Sequence, residues 1–247
     1  MDCEEITPYS DKRDKTGQVR EMFDNIAPAY DFMNRAMTLG VDKSWRRKTV
    51  ATIAAHGAAD ILDVATGTGD LAIQIARALP EATVTGIDLS EGMIGVGNGK
   101  VKSAGLDSRV KLLQGDCLSL PMADESFDAV TVAYGVRNFE NLAKGYAEMA
   151  RVLRPGGLLA VLELSTPVSP VVKPFYHIYT RGIIPAVGRL ISRDSQAYTY
   201  LPRSIAAVPQ GEEMLRLMRD AGLTDTRLRR FTFGVCTLYT AIKHTNK

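Results

Sequence analysis

The sequence predicts an α/β protein built on a doubly wound, mostly parallel sheet of seven strands, with a helical block before the sheet and a helical insertion ahead of its last two strands. Three observations predict it. Residues 61–70, Ile-Leu-Asp-Val-Ala-Thr-Gly-Thr-Gly-Asp, form a short apolar run that ends in two glycines and opens at once into a helical pattern. Short apolar runs then alternate with amphipathic segments as far as residue 165, as parallel strands joined by crossover helices require. Two closing runs around Gly234 read as a hairpin, which sets the last strand antiparallel to the rest.

Residues 1–16 are polar and charged, so poor order is expected there unless a ligand pins them. Residues 18–56 read as helical with breaks near Pro28 and Gly40; Val19, Met22, Phe23 and Ile26 share one stripe, with Phe32, Ala36 and Trp45 beyond. This block precedes the first strand and is free to fold across the sheet's carboxyl edge as a lid. After the glycines, Leu71, Ala72, Ile75, Ala76 and Leu79 make the buried stripe of a helix that Pro80 ends. A second strand is expected over 82–88, a helix capped by Ser90 after it, a third strand over 109–114 and a fourth over 127–134. A helix over 141–152 is closed by Pro155-Gly156-Gly157, and a fifth strand follows over 158–164. Prolines at 167, 170, 174, 185, 202 and 209 mark an inserted helical cap with a long loop. A helix over 211–221 and strands over 223–233 and 235–243 complete one domain, 1–247. Its expected parts are a lid (17–57), a cofactor-binding core (58–165), the insertion (166–210) and a C-terminal helix and hairpin (211–247).

Composition narrows the function. At 247 residues and 45% apolar content the chain can bury one large core. A formal charge of +2 supplies no broad field for nucleic acid. Cys3, Cys117 and Cys236 are odd in number, far apart and without metal-ligand spacing, which suggests a reducing compartment and no structural disulfide, and no metal is expected. The acidic start lacks the apolar core of a signal peptide, and no apolar run is long enough to span a bilayer. A cytoplasmic protein is expected, and a homodimer is left open.

Ligands of open α/β sheets bind in the crevice at the carboxyl ends of the strands, where Gly67 and Gly69 lie. Gly67-x-Gly69-x-x-Ala72, with Asp88 about twenty residues on, also fits the tolerant dinucleotide fingerprint, so an NAD-dependent oxidoreductase is one reading. Asp63 and Asp70 argue against it, because a pyrophosphate would need the positive helix end that Asp70 occupies. A cation fits better. S-adenosylmethionine carries a sulfonium and an ammonium, and its ribose hydroxyls can donate to Asp88. The bland reading of Asp70 is a helix-start residue.

Several stretches carry a resemblance. Asp63-x-Ala65-x-Gly67-x-Gly69, Asp88, Asp116, and Leu120-Pro121-x-x-Asp124-x-x-Phe127-Asp128 together resemble class I S-adenosylmethionine-dependent methyltransferases, whose sheet is Rossmann-like. Tyr30-Asp31-x-Met33-Asn34-x-x-Met37-Thr38-x-Gly40 with Trp45-Arg46, and Arg151-Val152-Leu153-Arg154-Pro155-Gly156-Gly157 running to Glu163-Leu164-Ser165, are sharper: they look like the two signatures of the ubiquinone/menaquinone-biosynthesis C-methyltransferase family. Gly135-Val136-Arg137-Asn138-Phe139 and Tyr200-Leu201-Pro202-Arg203-Ser204-Ile205 match as well. Thr38, Asp42 and Arg154 depart from the Ser, His and Lys common in the family, and Ala133 stands where some ubiquinone-pathway members have Ser. The last departure leans the reading towards menaquinone.

The resemblance implies S-adenosylmethionine bound by Thr68, Asp88, Asp116 and Cys117 beside Gly67, Gly69 and Ala133, and methyl transfer to a ring carbon of a prenylated naphthoquinol. The alternative acceptor is the benzoquinol of ubiquinone synthesis. Arg137 is expected to stabilise the developing phenolate or to be fixed by a carbonyl or carboxylate; Asn138, Tyr30 and Asp31 could reach the ring, and Cys117 reads as an adenine-pocket wall. His177 is expected to be packed or exposed. Phe175, Tyr176, Ile178, Ile183, Ile184 and Val187, beside Lys173, Arg181 and Arg189, could form a groove for the prenyl tail or rest on a membrane surface. Arg216, Arg219, Arg227, Arg229 and Arg230 read as a solvated basic face, with anionic lipid as the second reading. A nucleic-acid methyltransferase lacks support, since neither an Asn-Pro-Pro-aromatic motif nor paired cysteines occur. A non-catalytic binding module would not need the full set of pocket residues.

Overall fold

A computed structural model describes residues 3–183 and 195–244. The central strand β1 (Asp60–Val64) is flanked by β2 (Thr83–Asp88) and then β3 (Val110–Gln114) on one side. On the other side come β4 (Phe127–Ala133), β5 (Leu153–Leu164), β7 (Cys236–Lys243) and β6 (Leu223–Phe231), giving the order β3-β2-β1-β4-β5-β7-β6. All pairs as far as β5 are parallel, and β7 runs antiparallel to both of its neighbours. Ile61, Leu62 and Val64 have no exposed surface, because both faces of the sheet are covered.

On one face pack α3 (Asp42–His56), α4 (Asp70–Ala78) and α5 (Glu91–Ser103), which bring Ile53, Ile75 and Val101 to the core. On the other pack α6 (Leu142–Val152) and, late in the chain, a helix over Glu212–Asp220, with Tyr146, Met149, Met214 and Met218 between them and the strands. The Ser90 hydroxyl accepts from Met93 N at the start of α5, as its position before the helix predicts.

The block ahead of the sheet folds as α1 (Lys15–Ile26), a 3-10 turn holding Pro28, and α2 (Tyr30–Thr38), which ends where Leu39 and Gly40 turn left-handed. Asp24 accepts from Ser90 Oγ at 2.6 Å and Gly92 N at 3.0 Å, tying α1 to the start of α5 at the sheet's carboxyl edge. The insertion supplies α7 (Val172–Ile178), a π-helical turn and α8 (Ser195–Ala207); the helix over Glu212–Asp220 is α9. Met22, Ile26 and Met33 pack with Met93 of α5 and with Ala197 and Tyr200 of α8.

Two expectations fail. The N-terminal segment is anchored at both ends, though residues 10–14 are exposed: Cys3 and Ile6 are buried, and the Lys15 ammonium donates to the carbonyls of Cys3, Arg137 and Phe139 at 2.6–3.1 Å. Lone lysines on a polar stretch read as solvated, and nothing local foretells three distant carbonyls. The second failure is the start of β5, which begins at Leu153 rather than 158. Phe127 pairs with Leu153 and Ala129 with Leu158, so Pro155-Gly156-Gly157 is a bulge inside the strand, not a terminator before it.

Gly86 of β2 lies beneath the first glycine turn, where an added Cβ would come within 2.5 Å of Leu112 and 2.8 Å of Thr66 Oγ1. Gly86→Ala is expected to destabilise the fold by about 1–3 kcal/mol through overpacking. Urea unfolding measures this, and an unchanged midpoint would contradict the packing described.

Candidate active site

The site forms where β1, β2 and β4 deliver their last residues under α1 and α2. Ala65 (φ 50°), Gly67 (φ 56°) and Gly69 (φ 74°) curl the chain into the start of α4. One carboxylate fixes this turn. Asp88, closing β2, accepts from Gly67 N at 2.8 Å and from Ser90 N at 2.9 Å. Burial raises its pKa, against the lowering effect of those two N–H groups. Each oxygen keeps further lone-pair capacity for a hydroxyl donor. Below it Asp63 is fully buried and accepts from Thr66 and Thr131 hydroxyls at 2.6 and 2.7 Å; desolvation pushes its pKa up to about 6.

Two cavities open here. The first encloses about 730 Å³, counting space open to solvent, and is walled by Gly67, Asp88, Asp116, Cys117 and Ala133, with Ile87 and Leu118 as apolar faces. Asp116 already accepts from Leu118 N at 2.8 Å through one oxygen, and burial raises the Cys117 pKa, so its sulfur is a neutral thiol wall. The second cavity, about 1670 Å³ by the same measure, is lined by Met22, Met33, Trp45, Arg46, Arg137 and Tyr176 among others. Phe23, Tyr30, Tyr134 and Asn138 line both. The two spaces therefore meet across these four side chains.

Arg137 is buried in the turn after β4. Its Nη1 donates to Glu163 Oε1 at 2.8 Å and to the carbonyl of Tyr134, and its own N–H reaches Glu163 Oε2. Burial works against its charge, but the Glu163 carboxylate outweighs this and the net pKa is raised. Its Nε has no hydrogen-bond partner among the described residues. The carboxylate expected to fix Arg137 is thus Glu163, and the arginine side chain also lines the larger cavity. Asn138 accepts from the Tyr200 hydroxyl at 3.1 Å.

Three expected residues lie elsewhere. Thr68 is buried and its hydroxyl donates to Asp31 at 2.6 Å and accepts from Lys100 at 3.0 Å, so it lines neither cavity. Asp31 is held by that hydroxyl and by Lys100 at 2.6 Å, outside both cavities, and ties α2 to the glycine turn. Gly69 faces β3, where a Cβ would meet Leu112 at 3.0 Å, so its role is turn and packing rather than ligand approach. Asp70 pairs with Lys100 and with Arg46, which is also held by Asp42 at 2.6 Å. The Asp70 charge is therefore spent inside the protein, and of the two carboxylates on which the electrostatic argument for a cationic ligand rested only Asp63 is left. His177 is half-buried beside Tyr176 and lines neither cavity.

Of the proposed tail groove, Phe175 and Tyr176 line the second cavity and Ile178 is exposed; the side chains of Arg181 and Ile183, and residues Ile184, Val187 and Arg189, lie outside the description. Sequence reasoning missed Lys15, Lys100, Tyr134 and Glu163 as site residues. Glu163 carried a signal, since a carboxylate inside the apolar run Val161-Leu162-Glu163-Leu164 demands a buried cation. The others carried none.

The model of the ubiE/COQ5 methyltransferase family matches residues 10–243. The chain belongs to that family. It is 50% identical over 240 residues to a protein of Bacteroides fragilis named demethylmenaquinone methyltransferase, covering 97% of this chain and 98% of the relative. It is 42% identical over 246 residues to the ubiquinone/menaquinone biosynthesis C-methyltransferase UbiE of Geobacter sulfurreducens, covering 98% and 95%. Among solved structures, the [4+2]-cyclase SpnF matches with a TM-score of 0.69 at 19% identity over 94% of this chain and 97% of that one. A Haemonchus contortus phosphoethanolamine N-methyltransferase in complex with S-adenosyl-L-methionine matches at 0.60 and 16% identity over 81% and 53%. These two share the fold. No described helix is long and apolar enough to cross a membrane, and the described residues hold no cluster suited to a metal ion.

Asp63 gives this family member a pH signature. Its folded pKa, about 6, lies above the ordinary 3.8, so the folded state keeps a proton that the unfolded chain releases. Stability should fall as pH rises from about 4 to about 6, by on the order of 3 kcal/mol. Asp63→Asn is expected to remove that slope in urea unfolding across this window, and an identical slope in the variant would contradict the assignment.

Proposed function

We propose that the chain transfers a methyl group from S-adenosylmethionine to a ring carbon of demethylmenaquinol, giving menaquinol, in the gap where the two cavities meet. The shared lining by Phe23, Tyr30, Tyr134 and Asn138 carries this reading, because a methyl donor and its acceptor must touch while their remaining parts lie apart. The first cavity fits a nucleoside. Asp88 can accept from ribose hydroxyls, Asp116 from an adenine amine, and Ile87, Cys117, Leu118 and Ala133 offer flat apolar contact. Bound there, S-adenosylmethionine supplies a methyl group already activated by its positive sulfur.

The second cavity is apolar and large, as a naphthoquinol with a prenyl chain needs. Relatives named demethylmenaquinone methyltransferase, matched over nearly their whole length, support the naphthoquinol over a benzoquinol. What the protein must add is a nucleophilic carbon. Loss of a hydroxyl proton to water makes the quinol a phenolate and pushes electron density onto the adjacent carbon, which takes the methyl. The sulfur keeps the electron pair of the bond that breaks and leaves as S-adenosylhomocysteine; the proton on the methylated carbon then departs, the ring oxygen takes a proton back, and one proton is released overall. In this reading Arg137 Nε donates to the phenolate oxygen and Asn138 orients the ring, its own oxygen steadied by Tyr200. Tyr30 stays protonated, since burial raises its pKa, and serves as a wall between donor and acceptor.

The mouth of the second cavity is rimmed by Leu39, Phe175 and Phe233, which are 81%, 71% and 78% exposed. Val171 and Ile178 extend the apolar surface. We read this rim as the exit of the prenyl tail and the contact with the inner face of the membrane, with the enzyme otherwise in the cytoplasm.

Incubation with labelled S-adenosylmethionine and either demethylmenaquinol or the benzoquinol should label the naphthoquinol product; label on the benzoquinol alone would overturn the substrate. Arg137→Lys keeps a cation beside Glu163 but removes Nε, so kcat should fall about 100-fold with S-adenosylmethionine affinity nearly unchanged. Near-normal kcat would remove Arg137 from the reaction.

A further inference from the structure

Among the described residues three buried side-chain polar atoms have no partner: Arg46 Nε, Tyr134 Oη and Arg137 Nε. All three side chains line the second cavity, whose wall is otherwise mostly apolar. A buried donor left unsatisfied costs about 1–3 kcal/mol, so three in one apolar space mark where a ligand's oxygens sit. The reading above uses only Arg137.

The other two belong to a different part of the wall. Arg46 rises from α3, where Asp42 and Asp70 hold its Nη2 and leave Nε over. Tyr134 ends β4 in the left-handed region, with φ 60°, a conformation that a bulky residue adopts only when its surroundings impose it. Its N–H donates to the Leu162 carbonyl at 2.7 Å. The charged and titratable neighbours of Tyr134 are Arg46 and Asp42 of α3, Glu163 of β5 and Cys236 of β7, whereas those of Arg137 are Glu163, Tyr30 and Tyr200. Tyr30 feels both arginines. The donors thus fall into two groups, the Tyr134 hydroxyl with Arg46 and Arg137 with Tyr200.

We propose that the Tyr134 hydroxyl and Arg46 Nε are a second donor pole of the acceptor site, gripping the ring oxygen opposite the one that Arg137 holds. This rests on the quinol reading. A 1,4-dihydroxy ring presents oxygens at its two ends, and a pocket with donors at both ends fixes the ring's tilt and its rotation in plane. That rotation decides which ring carbon faces the first cavity. Tyr134 and Arg46 make and break no bond; they are positioning residues that select a ring oxygenated at both ends.

Tyr134→Phe isolates the hydroxyl, because the ring is kept and no bond within the protein is lost. The test compares kcat/KM of the wild type and the variant on two acceptors. One is demethylmenaquinol; the other is its monophenol analogue, which keeps the hydroxyl beside the methylated carbon and lacks the opposite oxygen. The variant is expected to lose about 10-fold on the quinol and less than 2-fold on the monophenol, with unfolding temperature unchanged. Equal losses on both acceptors, or no loss on either, would overturn the second pole. Failure of the wild type to methylate the quinol would instead overturn the substrate reading on which it stands.

Discussion

A carboxylate near the carboxyl end of an apolar strand governs this site. Glu163 lies in β5 with 1% of its surface exposed, and an ionised group there is tolerable only with a cation and further donors around it. Arg137 supplies the cation and, through its backbone, one of the donors. The pair locks the turn after β4 against β5 and so holds Tyr134 and Asn138 at the junction of the two cavities. Lys15 closes the arrangement from the N-terminal side by donating to the carbonyls of Arg137 and Phe139. A segment that looks solvated in sequence thereby becomes part of the frame.

A second, more exposed network joins the helices over the sheet edge to the glycine turn. Lys100 of α5 meets Asp31 of α2 and Asp70 of α4, and Arg46 of α3 meets Asp70 and Asp42. Asp42 stands where the family commonly has His, and here it is 1% exposed and holds Arg46, which leaves one guanidinium nitrogen open to the larger cavity. Pairing of this kind in partly buried surroundings fixes geometry more than it adds stability. Its effect is to aim α2, and Tyr30 at its start, over Gly67.

The sheet was legible because each strand is a short apolar run and each helix a periodic one: Leu71 to Ala76 and Ser90 before α5 needed only local rules. Asp88 ends a strand at the crevice that such sheets offer to ligands, whereas Asp116, Cys117 and Ala133 came from the family resemblance; all four wall the first cavity. Thr68 and Gly69 sit on the glycine turn and line neither cavity, and Asp31, on α2, is held outside both by Lys100 and Thr68. Adjacent residues on a tight turn point in different directions, and chain position does not tell which of them faces the ligand. Lys100, and Lys15 where it reaches Arg137 and Phe139, act on groups 30 or more positions away, through contacts that only the folded chain creates. The bulge in β5 escaped because Pro-Gly-Gly ordinarily ends an element, whereas here Gly156 at φ 79° carries the strand through.

The central claim is that a nucleoside-bearing methyl donor and an oxygenated ring meet across Tyr30 and Tyr134. A crystal structure of the protein with S-adenosylhomocysteine and a prenylated naphthoquinone tests it most directly. The account predicts the ribose on Asp88, the sulfur facing the ring past Tyr30, and the prenyl chain leaving between Leu39 and Phe233. An adenosyl group bound away from Asp88, or a ring lodged outside the larger cavity, would contradict it.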